Sequence, residues 1–293
     1  MALRGQTLAA GRAGQYTLWM MGGAVTLLNS ILLGIVQGLT EFLPVSSSGH
    51  LVLFSHFLGV EDAGITFEVL LHFGTILAVL VAFRRDIGQL LTTFFGLFRS
   101  GKSLSERYRE QSDLRLLVYI IVATLPAVVI GVIFKDAIEA AFDHPRFVAW
   151  ALIFTGLLLG LTRLSSGGKK ELNFVNTLVM GLAQALAILP GISRSGSTIS
   201  FGLFSGVRGE QAARFSFLLS IPAVLGATIL KVGEMASAPV GSGRLGLMII
   251  GAIVSFFTGW LAIEAMLRIL RRGKLYWFAP YCLLVGILML FVL

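Results

Sequence analysis

The stretch "EFLPVSSSGHL", residues 41–51, places a carboxylate, three serines and an imidazole around one proline and one glycine. The sequence on either side of it is apolar enough to lie in lipid. Irregular backbone at membrane depth survives only where protein or a water-filled cavity satisfies its hydrogen bonds. The stretch therefore predicts a broken segment that turns inside the membrane, and its polar side chains indicate a functional site.

The composition places the whole chain in the membrane class. Of its 293 residues, 56% are hydrophobic and 13% are charged, whereas a soluble domain carries roughly a quarter of charged residues. The apolar runs are long and do not alternate, which favours helices over a β-barrel. We predict an all-α polytopic membrane protein, with residues 1–23 as a mobile N-terminal extension and residues 24–293 as a single membrane domain.

Six segments are long enough, or nearly so, to cross a bilayer, which takes about 20 apolar residues. They are 66–83, 115–134, 147–163, 213–231, 246–266 and 276–293. Two further apolar regions, 24–60 and 174–207, are interrupted by Pro, Gly and Ser, so that each arm is too short to span. We predict that both regions are re-entrant helical hairpins.

The basic residues indicate an orientation. Sixteen Lys and Arg residues lie in one set of predicted loops and four in the opposite set. The positive-inside rule places the richer set in the cytoplasm, and it accounts for the net charge of +8 without a nucleic-acid partner. Both termini are then outside, and the two hairpins enter the membrane from opposite faces.

The two hairpin regions also resemble each other at an offset of 146 or 147 residues. The matched pairs are Gly34 with Gly181, Gln37 with Gln184, Pro44 with Pro190 and Gly49 with Gly196. Each half, 24–163 and 174–293, contains one hairpin and three spans, and an odd number of spans inverts the second half. We predict an inverted-topology repeat whose two hairpin tips meet near the membrane centre.

The first tip carries groups that can transfer protons or bind a cation. Gln37 and Glu41 are four residues apart and share a helix face. The serines Ser46, Ser47 and Ser48 lie where the returning helix begins, and a helix N-terminus favours an anion. With His50, this tip offers candidates for acid, base, nucleophile and metal ligand.

The second tip, "PGISRSGST" at residues 190–198, is basic instead. It has Ile188 where the first hairpin has Glu41, and it gains Arg194, a side chain that binds oxyanions. Hydroxyl groups flank this arginine, at Ser193, Ser195, Ser197 and Thr198. An acidic tip facing a basic one favours an anionic substrate that undergoes proton and charge transfer.

Structural alternatives exist for each of these residues. Glu41 and Arg194 could form a buried ion pair that only holds the tips together. Serines at a hairpin tip often serve turns and caps, and His50 could be satisfied by a neighbouring carbonyl. Glu68 and His72 form a further i, i+4 pair, and we expect Glu68 to have a supporting role at the site or in metal binding.

The two tips resemble the signatures of the undecaprenyl-pyrophosphate phosphatase family of the bacitracin-resistance type. That family has a [Glu/Gln]-x-x-x-Glu motif running into "FLPVSS-[Thr/Ser]-GH", and a second motif "PG-x-SRSG-x-T". Here these motifs lie at 37–41, 42–50 and 190–198, and the resemblance extends along nearly the whole chain after residue 24.

The resemblance implies six spans with two hairpins, a homodimer in the bacterial plasma membrane and a site open to the periplasmic face. The implied reaction removes the terminal phosphate of the C55 isoprenoid pyrophosphate with a divalent cation, Mg²⁺ or Ca²⁺. This recycles a cell-wall carrier lipid and confers bacitracin resistance. The implied catalytic residues are Glu41, Ser47, His50 and Arg194. The implied substrate-binding residues are Ser46, Ser48, Ser193, Ser195 and Thr198.

The implied metal ligands are Glu41 and Gln37, and here the chain departs from many relatives. A glutamate is common where this chain has Gln37, and an amide can bind a cation through its carbonyl but cannot act as a base. We favour Ser47 as the nucleophile, while His50 and a metal-bound water remain alternatives. A different class of function, a transporter that flips the polyprenyl phosphate carrier, also fits an inverted repeat with broken hairpins.

Overall fold

A computed structural model describes residues 26–58, 64–98, 103–165, 168–235 and 242–292. The predicted extension, 1–23, lies outside the described residues. Within the described ranges the chain is helical. The helices are α1 Leu27–Phe42, α2 Ser47–Leu58, α3 Gly64–Ala82, α4 Arg84–Gly96, α5 Leu104–Glu110, α6 Ser112–Ile133, α7 Lys135–Phe142, α8 Pro145–Leu161, α9 Phe174–Leu186, α10 Arg194–Phe204, α11 Gly209–Met235, α12 Ser242–Arg271 and α13 Ala279–Val292.

The helical membrane class predicted from the sequence is confirmed. Among the described residues, four segments are long and apolar enough to cross a membrane: Ser112–Ile133, Pro145–Leu164, Leu245–Arg271 and Leu275–Val292. A fifth span arises if Phe67–Ala82 and Arg84–Gly96 count as one, although the chain bends by 82° between them. The predicted span 213–231 falls on α11, whose side chains are described only in part. The six-span layout stays a prediction.

The first hairpin is formed by α1 and α2. Thr26 caps the start of α1 by accepting a hydrogen bond from the Asn29 amide at 3.2 Å. The helix ends before Leu43, which is extended because the following Pro44 disfavours helical backbone. The chain then reverses through Ser46, whose φ of 69° is uncommon for a residue other than glycine. The turn therefore holds backbone strain at the place where the polar cluster lies.

The second hairpin, α9 and α10, uses more conventional signals. A reciprocal capping box between Asn173 and Asn176 starts α9. The turn passes through Gly191 at φ 90°, a conformation that glycine adopts without a steric cost. Ser193 caps α10 by accepting a hydrogen bond from the Gly196 amide at 3.0 Å. Both hairpins thus consist of two helices joined by a turn, but the positive-φ residue of the turn is a serine in the first and a glycine in the second.

The first arm of each hairpin packs against a helix of the other half of the chain. Helix α1 packs on α12, and α9 packs on α6. A Cβ atom built on Gly34 would lie 2.5 Å from the Gly251 carbonyl oxygen, and one on Gly181 would lie 2.5 Å from the Ala123 carbonyl oxygen. Glycine therefore allows close backbone approach at both interfaces, as in small-residue packing of membrane helices. The matched glycines occupy matched interfaces.

A hydrophobic cluster lies next to the first tip. The Phe42 ring meets the Phe217 ring edge-on at 5.7 Å between centroids, and Phe83 packs on the other side of Phe217. Phe42 and Phe217 are at most 1% exposed. Since Phe42 directly follows Glu41, this packing fixes the backbone that carries the carboxylate.

Candidate active site

The two hairpin tips meet through a charged contact. The Arg194 Nη2 atom donates to Glu41 Oε1 at 2.5 Å. A second link joins the tips, because the Ser195 hydroxyl donates to the Leu43 carbonyl at 3.2 Å. Glu41 is only 8% exposed. The expected meeting of the tips is confirmed by these contacts, while the catalytic roles of the residues stay predictions.

Glu41 also connects the first tip to a hydroxyl group. Its Oε2 atom accepts hydrogen bonds from Ser47 Oγ at 2.6 Å and from Gln37 Nε2 at 3.0 Å. A carboxylate this close to a hydroxyl can take its proton and activate it as a nucleophile. Ser47 is partly exposed and lies at the start of α2. Its position therefore satisfies the geometric requirement for an activated serine.

Two polar atoms at this site remain without a partner among the described residues. Arg194 Nη1 and Gln37 Oε1 are both buried and make no hydrogen bond there. A buried polar atom without a partner costs roughly 1–3 kcal/mol, and more when it belongs to a charged group. An ion pair that served only to join the tips would leave both costs unexplained. A ligand with anionic oxygens for the arginine and a cation for the amide oxygen would remove both.

The contacts of His50 match the alternative in which a neighbouring carbonyl satisfies the ring. Its Nδ1 atom lies 2.9 Å from the Ser46 carbonyl, and its Nε2 atom lies 2.7 Å from the Tyr281 hydroxyl. The two rings stack at 5.6 Å between centroids. The polar contacts described for His50 thus join it to Ser46 and Tyr281 and not to Glu41. Tyr281 lies on α13, and no local sequence signal connects it with the first hairpin.

His72 is the imidazole that approaches the carboxylate. Its Nε2 atom lies 3.9 Å from Glu41 Oε2, and its Nδ1 atom lies 2.9 Å from the Glu68 carbonyl oxygen. The main chain of Glu68 therefore orients His72. The predicted supporting role of the Glu68 side chain stays a prediction.

The hydroxyl groups of the second tip shape the backbone around Arg194. Thr198 Oγ1 donates to the Arg194 carbonyl at 2.8 Å and lies 2.6 Å from Ser216 Oγ. The buried Thr155 of α8 spans the turn, because its hydroxyl donates to the Gly191 carbonyl at 3.0 Å and accepts from the Ser193 amide at 3.1 Å. Substrate binding by Ser46, Ser48, Ser193, Ser195 and Thr198 stays a prediction.

A narrow, partly open cleft reaches Glu41. Its walls belong to α3 and α11 and are mostly apolar, with hydroxyl groups from Thr75 and Ser220. Mostly apolar side chains therefore lead to the buried carboxylate from this side.

The residues that could hold a cation are few. Within the described ranges, no group of three or more His, Cys, Asp and Glu side chains gathers at one point. The predicted pair, Glu41 and Gln37, offers a carboxylate and a buried amide oxygen without a partner among the described residues. Mg²⁺ is commonly held by one or two protein oxygens and completed by substrate phosphates, so this pair fits such an ion.

These features define a helical membrane protein with a buried acid–base cluster at the meeting point of two hairpins. The chain belongs to the family described as bacitracin resistance protein BacA, whose family model matches residues 30–288. The family assignment made from the two motifs is therefore confirmed.

Curated relatives match nearly the whole chain. An undecaprenyl-diphosphatase of Salinibacter ruber is 44% identical over 90% of this chain and 98% of its own length. One from Syntrophotalea carbinolica is 46% identical over 89% of this chain and 97% of its own length. One from Desulforapulum autotrophicum is 43% identical over 89% of this chain and 96% of its own length.

Proposed function

We propose that this protein is a membrane phosphatase that hydrolyses undecaprenyl diphosphate to undecaprenyl phosphate and inorganic phosphate. The similar proteins named undecaprenyl-diphosphatase support this substrate and reaction. The observation that carries the proposal is the contact set of Glu41, which joins Ser47 to Arg194. One carboxylate thus connects a nucleophile to a cation that can bind the oxygens of the transferred phosphoryl group.

In the proposed reaction, Ser47 Oγ attacks the terminal phosphorus and gives its proton to Glu41 Oε2. The Oγ–P bond forms, the bond from phosphorus to the bridging oxygen breaks, and its electron pair leaves with the lipid phosphate. Glu41 passes the proton to this leaving group. Glu41 then takes a proton from a water molecule that attacks the phosphoserine. The P–Oγ bond breaks, Ser47 recovers its proton from Glu41, and inorganic phosphate is released.

Arg194 contributes charge stabilisation. Its Nη1 atom has no partner among the described residues, so it can bind a phosphoryl oxygen while Nη2 contacts Glu41. Preorganised donors of this kind are commonly worth about 100-fold or more in turnover. Oxygens of Glu41 and Gln37 would hold a divalent cation, Mg²⁺ or Ca²⁺, which neutralises diphosphate charge when bound.

The finer layout belongs to the same proposal. We assign six spans and two re-entrant hairpins in an inverted repeat, with the site open to the periplasmic face of the bacterial plasma membrane. The crosswise packing of α1 on α12 and α9 on α6 supports the repeat, and the distribution of basic residues supports the orientation. A homodimer, a role in recycling carrier lipid for peptidoglycan and bacitracin resistance follow from the family resemblance.

The test is phosphate release from C55 pyrophosphate by the purified protein in detergent, with and without a chelator. Ser47→Ala should lower the initial rate by at least about 100-fold, because the nucleophile is lost. Ser105→Ala, at an exposed position on α5, is the matched control and should keep the wild-type rate. A Ser47→Ala variant with a near-normal rate would exclude the serine mechanism.

A second experiment with the purified protein distinguishes hydrolysis from transport. In proteoliposomes, a flippase would move labelled polyprenyl phosphate between leaflets without breaking a bond. If the wild type transports the lipid but releases no phosphate, and Ser47→Ala transports it at the same rate, the protein is a transporter and the phosphatase proposal is wrong.

A further inference from the structure

His72 lies beside the candidate active site, and the proposed reaction assigns it no role. It belongs to α3 with a side chain 22% exposed, and its Nε2 atom lies 3.9 Å from Glu41 Oε2. This distance is too long for a hydrogen bond. The two atoms are nevertheless held facing each other by separate elements, since Glu41 belongs to α1.

The hydrogen bond on the other side of the ring determines which nitrogen carries the proton. The Glu68 carbonyl oxygen, 2.9 Å from His72 Nδ1, can only accept, so Nδ1 is the donor. In the neutral ring, Nε2 then presents a lone pair to the carboxylate. Metal-binding histidines commonly have this arrangement, with one nitrogen donating to a backbone carbonyl and the other free to bind the ion.

The third acceptor is the amide oxygen of Gln37. It is buried and has no partner among the described residues, and the same amide contacts Glu41 through Nε2 at 3.0 Å. Metal–ligand bonds to nitrogen and oxygen are about 2.0–2.2 Å long, so two ligands of one ion lie up to about 4 Å apart. The separation of His72 Nε2 from Glu41 Oε2 falls within that limit.

We propose that His72 Nε2 is a ligand of the divalent cation, together with Glu41 and the amide oxygen of Gln37. This deepens the proposed function by naming a nitrogen ligand that neither motif contains. Ca²⁺ takes oxygen ligands, whereas an imidazole suits transition-metal ions better. Mn²⁺, which accepts both oxygen and nitrogen ligands, serves as the probe ion for this mixed set, and the diphosphate oxygens would complete the coordination.

Binding of Mn²⁺ to the purified full-length protein tests this proposal without turnover. Arg194 forms an ion pair with Glu41, which reduces the charge available to a cation. Mn²⁺ binding is therefore measured with and without methylenediphosphonate. This diphosphate analogue supplies anionic oxygens, contains no nitrogen and resists hydrolysis. Pulsed electron paramagnetic resonance of the bound Mn²⁺ should show modulation from an imidazole ¹⁴N nucleus. His72→Gln should abolish this modulation and weaken Mn²⁺ binding by at least about tenfold.

His144→Gln is the matched control, because His144 is exposed and lies at the start of α8. It should keep both the modulation and the affinity. Unchanged ¹⁴N modulation in His72→Gln, or wild-type protein whose bound Mn²⁺ shows none, would overturn the assignment.

The ratio of Mn²⁺ to Ca²⁺ affinity provides a second measurement that does not depend on overall protein quality. The His72→Gln substitution replaces a nitrogen ligand by an amide oxygen, so this ratio should fall, because Ca²⁺ takes oxygen ligands. An unchanged ratio would contradict the proposal. Phosphate release that is normal in a chelator, with no ¹⁴N signal, would refute the metal ligand and leave the serine phosphatase intact. A wild-type protein that shows the ¹⁴N signal but releases no phosphate would refute the serine phosphatase and leave the metal ligand intact.

Discussion

The two hairpins have the same framework and opposite chemistry. In both, the first arm begins with a side-chain cap, carries a glycine that approaches a helix of the other half, and has a buried glutamine at a matched position. The first hairpin then supplies Glu41, whereas the second has Ile188 there and supplies Arg194 at its turn. Backbone packing thus has been kept in both copies, while the charges are divided between them.

The matched glutamines Gln37 and Gln184 differ in their hydrogen bonds, because only the first hairpin has a carboxylate. Gln37 donates to Glu41 at 3.0 Å. Its counterpart Gln184, 2% exposed, has no carboxylate four residues later, and neither of its amide atoms has a partner among the described residues. The same residue type is therefore part of the site in one hairpin and an unsatisfied polar group in the other.

The largest expected effect comes from separating the charges of the two tips. Arg194→Ala leaves Glu41 as a buried charge without its partner, so it should destabilise the protein by about 3–5 kcal/mol and reduce phosphate release at least about 100-fold. Adding Glu41→Gln removes the unpaired charge and should recover part of the stability but none of the activity. Thermal unfolding in detergent and initial rates measure the two quantities. Additive losses of stability would show that the tips do not interact.

The shared framework predicts a similar effect in both hairpins. Gly34→Ala and Gly181→Ala each bring a Cβ atom to 2.5 Å from a backbone carbonyl oxygen. Each variant should therefore lose about 3 kcal/mol, since backbone must move. Gly88→Ala on α4, where an added Cβ meets nothing within 4 Å, is the control and should stabilise the protein slightly, by up to about 1 kcal/mol. Unequal losses, measured by thermal unfolding, would show that the two interfaces are not equivalent.

The glutamines should respond in opposite ways. Gln37→Leu removes a hydrogen bond to a charged group and should cost about 2 kcal/mol together with much of the activity. Gln184→Leu removes an unsatisfied amide and should be neutral or stabilising with activity retained. Rates and melting temperatures of the two variants decide this, and a Gln184→Leu variant as inactive as Gln37→Leu would place both glutamines in the site.

The smallest effect is expected where α8 supports the second turn. Thr155→Val removes the hydroxyl that bridges Gly191 and Ser193, which should cost about 1 kcal/mol of stability and several-fold in rate. Thr124→Val is the control, because the Thr124 hydroxyl donates to the Ile120 carbonyl of its own helix. Equal effects in the two variants would show that the bridge does not position Arg194.

Much of this comparison could be predicted from the sequence, and the failures have a common cause. The two tips and their charges follow from local motifs, because proline, glycine and caps act over a few residues. The contacts of the two histidines with other helices do not follow. The sequence allowed a neighbouring carbonyl as the partner of His50, which the Ser46 carbonyl proves to be. It did not predict the contact of His50 with Tyr281, 231 positions away, or the approach of His72 to Glu41. Which helix face meets which neighbour depends on tertiary packing, and helical spacing alone does not specify it.

The packing of α1 on α12 also imposes an order on biosynthesis. The ribosome completes Gly34 long before Gly251, so the first hairpin is made while its partner helix does not yet exist. Tyr281, which contacts His50, is made later still. A nascent chain therefore carries Glu41 before its partner Arg194 has been made, and a product truncated before α12 would lack the helix on which α1 packs.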